Sequence, residues 1–283
     1  MELGHLANAK SRLLGLDSKL QVVAGTYGRY ARSAKPLLIE INRHFGRGCL
    51  CVLTPDDVGN HSTMKAVKQL CDEMPCQVSV DFGHWNRSLG ELEAQVSHFL
   101  PLLNAQGLDR VAISAGSYPK QHSEFEELSV NRVDRLEWSA FKSLNKTHSY
   151  QFSDYGIVCG EEGGGGGSMM FTPALRYSDN DSYIIRKGKR SSLDHLQDQL
   201  HAMIMDLVRS RDFAGERYSW GDSSFKKIND SPSPGSLTKE RATARKFEWN
   251  HHLAIAARGV TSLVSGKAPS SIPPAVEVLS GVV

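Results

Sequence analysis

Three short clusters in the second half of the chain carry residue types that do chemistry: Asp154-Tyr155-Gly156, Ser219-Trp220-Gly221-Asp222 and Trp249-Asn250-His251-His252. Each joins a carboxylate or an imidazole to a large aromatic ring or a glycine. Carboxylates and imidazoles move protons and orient one another, and glycine lets backbones come close. Each cluster reads as the edge of a strand, where α/β proteins gather side chains into one site. Asp81 ends a further strand in Val80-Asp81-Phe82-Gly83, and Ser114 and Ser117 would line the mouth beside it. Asp81, Asp222 and His252 are the catalytic candidates, able to hold a divalent cation or perform acid/base work. Ser117, Asp154, Arg176, Arg186, Trp220 and Asn250 are the ligand-binding candidates, with the two arginines suited to a carboxylate or phosphate. Each has a plainer alternative: structural histidines bonded to backbone, a turn or helix cap by Asp222 with Trp220 in the core, and a loop cap by Asp81.

Other chemistries find no pattern. There is no His-Glu-x-x-His, phosphate loop, dinucleotide fingerprint or Gly-x-Ser-x-Gly elbow. Cys49, Cys51, Cys71, Cys76 and Cys159 lack zinc-site spacing and read as buried or incidental thiols. No metal ligands and no particular cofactor are predicted. Their odd number fits a reducing compartment. No run approaches the ~20 apolar residues that cross a bilayer, and Met1–Leu20 lacks a signal peptide's apolar region, so a cytoplasmic protein without a membrane partner is expected. A net charge of +2 gives no general pull toward nucleic acid. Only Arg186-Lys187-Gly188-Lys189-Arg190, leading into a helix start, suits a phosphate or nucleic-acid backbone, and a solvated hairpin end is the commoner origin of such a run.

The elements that must position these residues alternate. Gln21–Gly25, Cys49–Thr54, Gln77–Asp81 and Arg110–Ala115 read as strands. Ala66–Cys71, Ser88–Leu103 and Val133–Leu144 read as helices, the second opened by a Ser88/Glu91 capping box. Valines take one face of Gln77–Asp81 and polar groups the other. That pattern tilts the reading from an open sheet to a (β/α) barrel-like domain, complete or partial, over residues 1–265. Phe171–Tyr177 and Ser182–Lys187 flank a turn-forming tetrad and predict an antiparallel hairpin. A long helix follows from Ser192 to about Phe213. Asp154 is placed at the start of a strand running to Val158. Leu253–Ala256 is read as a final strand, which sends Asn250 and His252 to one face and His251 to the other. Residues 160–168, with Gly163–Gly167, form a flexible linker; Asn229–Lys239 is a surface loop; 266–283 is an irregular tail.

Taken together, Asp154-Tyr155-Gly156-Ile157, Ala174-Leu175-Arg176-Tyr177, Tyr183-Ile184-Ile185-Arg186-Lys187-Gly188, Tyr218-Ser219-Trp220-Gly221-Asp222 and Asn250-His251-His252-Leu253 occur in the order of the Beta protein family. Val80-Asp81-Phe82-Gly83 and Ala115-Gly116-Ser117-Tyr118-Pro119 resemble that family too. The resemblance spans roughly residues 20–265. It implies a setting in phages, prophage satellites and bacterial defence islands, where one member belongs to an anti-phage cassette with the Gop protein and a CII-like regulator. The expectation is a sensor or regulator that binds a protein of its own cassette, a phage protein, or a phosphate-bearing ligand or nucleic acid. A metal-assisted phosphodiester-cleaving enzyme and a scaffold without a ligand site are the alternatives.

Overall fold

The computed structural model describes residues 24–108, 110–158, 172–191, 195–231 and 241–265. The expectations for the glycine run, Cys159, most of the loop after Asn229 and the C-terminal tail lie outside them. Within the described residues, two compact units divide the chain: 24–82 with 95–113, and 83–94 with 114–265.

The first unit is built from βα repeats. Strand β1 (Ala24–Tyr27) leads to helix α1 (Ala31–Phe45), strand β2 (Cys49–Leu53), helices α2 (Pro55–Gly59) and α3 (His61–Glu73), and strand β3 (Cys76–His84). The three strands run parallel, with Ala24 opposite Cys49 and Cys49 opposite Cys76. Local chemistry sets the helix starts. Thr54 and Asp57 cap α2 reciprocally, and the Asn60 side chain accepts from the Thr63 N–H to open α3. Leu38, Cys49, Leu70 and Met74 form one apolar cluster between strand and helices. Asp81 lies inside β3, because that strand runs on to His84 rather than ending at the carboxylate. Helix α4 (Leu89–Ala105) carries the predicted capping box, with the Ser88 N–H donating to Glu91 Oε2 at 3.1 Å. Every residue of strand β4 (Val111–Gly116) is buried, so both of its faces are covered.

The second unit holds strand β5 (Val130–Asp134), helix α5 (Leu136–Leu144), strands β6 (Gln151–Asp154), β7 (Ala174–Ser178) and β8 (Ser182–Lys187), and helices α6 (Leu196–Arg209), α7 (Trp220–Asn229) and α8 (Arg241–Ser265). The fold class is mixed α/β, with one sheet in the order β1-β2-β3-β4-β6 and an antiparallel sheet in the order β5-β8-β7. The predicted hairpin is β7–β8, with Ser178 opposite Tyr183. Its turn is held by Asp179 Oδ1, which accepts from the N–H groups of Asp181 (2.9 Å) and Ser182 (2.6 Å). Leu175, Tyr177, Ile184, Leu200, Ile204, Leu207, Phe225 and Phe247 pack into this unit's main apolar cluster.

Three expectations are corrected. Val133–Leu144 is the end of β5 followed by α5, since Val130–Asp134 finds β8 as a partner. Asp154 ends a strand instead of starting one. Gly156 follows at φ +63°, a turn conformation suited to glycine, and a Cβ there would lie 2.3 Å from the Trp249 ring. Leu253–Ala256 is helical, as part of α8. The buried residues Ala244, Phe247, Glu248, His251, His252 and Ile255 repeat at three and four, the spacing of one helix face. That face was hard to read because half of it is polar.

Helices α7 and α8 approach closely at Gly221, where a Cβ would meet the Phe247 carbonyl oxygen at 2.3 Å. Gly221→Ala should therefore cost about 1–3 kcal/mol, as overpacking does. A lowered urea midpoint with unchanged m-value checks it; an unchanged midpoint would show that the helices separate freely.

Candidate functional site

Ser219 caps α7: its Oγ accepts from the Asp222 N–H at 3.1 Å and donates to Asp222 Oδ2 at 2.5 Å. This fixes Asp222 in the first helical turn, where a negative charge suits the helix dipole. Its Oδ1 accepts from the Tyr177 hydroxyl of β7 at 2.6 Å, and that hydroxyl accepts from the Ala214 N–H at 3.0 Å. Oδ2 also meets His251 Nδ1 of α8 at 2.8 Å. His251 Nε2 lies 2.8 Å from the Ser178 carbonyl oxygen. Both ring nitrogens thus face oxygen atoms, one of the Asp222 carboxylate and one of the Ser178 carbonyl. The Tyr177 ring stacks on the His251 ring at 3.6 Å between centroids.

Ser178 carries the network onward. Its hydroxyl shares a 2.9 Å hydrogen bond with His252 Nδ1, and His252 Nε2 donates to Asp154 Oδ2 at 3.0 Å. The same Asp154 oxygen accepts from Arg135 at 3.3 Å, and Oδ1 accepts from the Gly156 N–H at 3.1 Å. Arg135 Nε stands 3.7 Å from Glu137 Oε1. Glu137 accepts from the Tyr183 hydroxyl at 2.8 Å, and from the Ser117 hydroxyl and N–H at 2.6 and 3.1 Å. One relay therefore runs Ser219–Asp222–His251–Ser178–His252–Asp154–Arg135–Glu137–Ser117.

The centre of the relay is closed to solvent, while Ser219 and Asp154 are half-buried. Asp222, His251, His252 and Arg135 are 0% exposed and Ser178 is 1% exposed. Burial works to raise the Asp154 carboxyl, but the hydrogen bond and charge of His252, the Arg135 charge and the Gly156 N–H outweigh it and hold the group below the usual carboxylate range. Burial, then the neighbouring Asp222 carboxylate, pushes the Tyr177 phenol up. Burial, then Glu137, does the same for Tyr183. Both phenols stay protonated donors. Ser178, His252 and Asp154 stand in the order of a hydroxyl–imidazole–carboxylate relay. A nucleophile must also be reachable, and Ser178 is covered.

Asp154, Asp222, His252 and Ser117 are thus brought into one network. Asn250 sits beside it, its Oδ1 accepting from the Gly221 N–H at 2.8 Å. Trp220 is 37% exposed, edge-on to Phe247 at 5.1 Å, so it is not a core residue. The arginines have partners elsewhere. Arg176 donates to the Ile157 carbonyl oxygen at 3.1 Å and lies over the Tyr118 ring at 5.2 Å. Arg186 pairs with Asp206, and with Asp212 and Ser210 at 3.0 Å each. The anions it grips belong to the chain. Lys187 is buried and donates to the Phe125 carbonyl oxygen. Asp81 is half-buried in β3 of the first unit. Among the described residues, no three His, Cys, Asp or Glu side chains gather as metal ligands.

Sequence reading assigned His251 away from the site and passed over Tyr177, Ser178, Tyr183, Arg135 and Glu137. A signal existed for the last two. Both adjoin apolar residues of a segment that has to pack, Leu136 and Trp138, so two charges there had to find partners.

The Beta protein family model matches residues 32–258, a span that contains every member of the relay. The chain belongs to the Beta protein family. No curated protein and no solved structure matches it. For this Beta-family chain, no helix among the described residues is long and apolar enough to cross a membrane.

Removing one partner of a buried pair leaves the other charge uncompensated. Asp222→Ala should cost about 3–5 kcal/mol in denaturant unfolding, and Asp222→Asn, which keeps the shape, should cost less. Equal, small losses would show the pairing to be unimportant. Because folding depresses the Asp154 pKa, its contribution is present above the unfolded value of about 3.9 and disappears as pH falls through the folded value. Asp154→Asn should flatten the acid limb of stability against pH; an unaltered limb would remove Asp154 as its source.

Proposed function

We propose that this Beta-family chain is a cytoplasmic, partner-binding component of an anti-phage defence system, acting as a sensor or regulator. One observation carries the proposal: the charged residues expected to serve a ligand instead saturate one another inside the second unit. Asp222, His252 and Asp154 then act as a frame that holds α7 and α8 on β7 and β6, leaving recognition to surface groups. Trp220, at the N-terminus of α7 and next to that frame, is the contact residue. The partner is a protein of the same cassette or a phage protein. A phosphate-bearing ligand has less support, since Arg176 and Arg186 already hold internal acceptors. The family's association with prophage satellites and defence islands supports the setting. The repeated βα units with parallel β1, β2 and β3 support a barrel-like fold as part of the same reading.

A hydrolytic reading draws on the Ser178–His252–Asp154 series and would require α8 to lift from β7. The alternatives separate in one set of measurements. Under the partner reading, Trp220→Ala lowers protection against phage and loses the captured protein, while the circular-dichroism melt stays near wild type. Purified wild type shows no turnover of DNA, RNA or nucleotides with Mg²⁺ or Mn²⁺. Turnover abolished by His252→Ala in a folded protein would overturn it in favour of an enzyme. Protection and capture that survive Trp220→Ala would remove the proposed contact.

A further inference from the structure

The arginines of the second unit described above are held by the chain itself, but Arg29 and Arg32 of the first unit are not. Strand β1 ends at Tyr27, and a single 3₁₀ turn, Gly28–Tyr30, leads into α1. Gly28 is buried in that turn. A Cβ there would lie 2.3 Å from the Leu53 side chain at the end of β2 and 3.2 Å from that of Thr63 in α3. The glycine therefore seats the turn closely on the first unit, and the large side chains around it stay outside. Tyr27 is 46% exposed and Tyr30 54% exposed, and Arg29 and Arg32 are exposed beside them. The Arg29 guanidinium lies over both tyrosine rings, 5.3 Å from each centroid. Among the described residues, neither guanidinium has a carboxylate or hydrogen-bond acceptor, and neither tyrosine hydroxyl has a partner.

We propose that Tyr27, Arg29, Tyr30 and Arg32 form a platform that binds single-stranded nucleic acid. Unstacked bases lie on the exposed tyrosine faces, and the two guanidiniums hold the backbone phosphates that run between those bases. The local charge suits an anion. Residues 24–36 contain Arg29, Arg32 and Lys35 and no carboxylate. Lys35 pairs with Glu73, so the two arginines are the cations left for phosphate. The contact of Arg29 with the rings is weak at an exposed site. It orients the guanidinium and leaves its N–H donors open.

The same features select a single strand over other occupants. A duplex hides its base faces within its own stack, so the tyrosines would have nothing to lie on. An apolar protein surface would cover the rings but leave Arg29 and Arg32 desolvated without an anion. A single strand supplies flat rings and phosphates in alternation, and stacking accepts any base because each has a π-face. Arg176 and Arg186 differ, since internal oxygens already occupy them. The platform belongs to the first unit and works without the Trp220 contact.

Fluorescence anisotropy of the full chain, with labelled oligo(dT), oligo(rU) and an oligo(dT)·oligo(dA) duplex of about 20 nucleotides, tests the assignment. The single strands should bind about 10-fold or more tightly than the duplex at low salt. Tyr27→Ala and Tyr30→Ala should each weaken single-strand binding about 5- to 150-fold. Tyr27→Phe and Tyr30→Phe keep the ring and should bind as wild type does. Each of Arg29→Ala and Arg32→Ala should lower the slope of log affinity against log salt by about 0.7. Arg43→Ala removes the same charge from the exposed last turn of α1 and should change affinity by no more than about twofold. All these side chains are at the surface, so the circular-dichroism melts should stay near wild type. No binding at low salt would overturn the proposal, as would a duplex bound as tightly as the single strands. So would tyrosine-to-alanine variants that bind normally, or a loss with Arg43→Ala equal to that with Arg29→Ala.

Discussion

The second unit depends on a constraint of charge: Asp222, Arg135 and Glu137 are buried and Asp154 largely so, and each needs a partner from another element. The partners are what tie the unit together. Asp222 joins α7 to α8 and β7 through His251 and Tyr177. His252 joins α8 to β7 and β6 through Ser178 and Asp154. Arg135 and Glu137 join the start of α5 to β6, β8 and the segment after β4 through Asp154, Tyr183 and Ser117. Three helices and three strands cannot shift separately without leaving a buried charge unpaired.

Such a core differs in consequence from an apolar one. Hydrophobic contacts are non-directional and tolerate sliding, whereas imidazoles bonded at both ring nitrogens and a forked guanidinium accept few geometries. Buried ion pairs add little net stability compared with well-packed apolar groups. Their effect here is on placement. His251 can meet Asp222 and the Ser178 carbonyl oxygen only when α8 lies across β7 in one register. The glycines support the same end: Gly221 lets α8 touch the α7 backbone, and Gly156 leaves room for the Trp249 ring. A chain that recognises a partner gains from elements whose positions are set in this way before contact is made.

Much of the architecture was legible. The capping box at Ser88 and the turn of Asp179 rest on hydrogen bonds between near neighbours, so the local chain carries the signal. The long amphipathic helix around Leu200 and Ile204 was legible for the same reason. Strand β5 was not, because Val130–Asp134 pairs with β8 some 48 to 56 residues later, and local periodicity there resembles a helix start. Helix α8 was misread as a strand. Its buried face at 244, 247, 248, 251, 252 and 255 substitutes Glu248, His251 and His252 for the apolar residues that make a helix stripe visible. That error also sent His251 to the wrong side.

What the sequence determined by itself was the inventory: a mixed α/β chain of the Beta family whose unusual residues are Asp154, Asp222, Asn250 and the His251–His252 pair. Residue type and short-range spacing suffice for that. Whether those residues face solvent, a ligand or each other was decided only by the tertiary structure. An imidazole has the same local sequence whether its acceptor is a substrate or a carbonyl oxygen 73 residues away, as Ser178 is from His251. Burial and long-range pairing are properties of the assembled chain, and they turned the predicted open site into an interior frame.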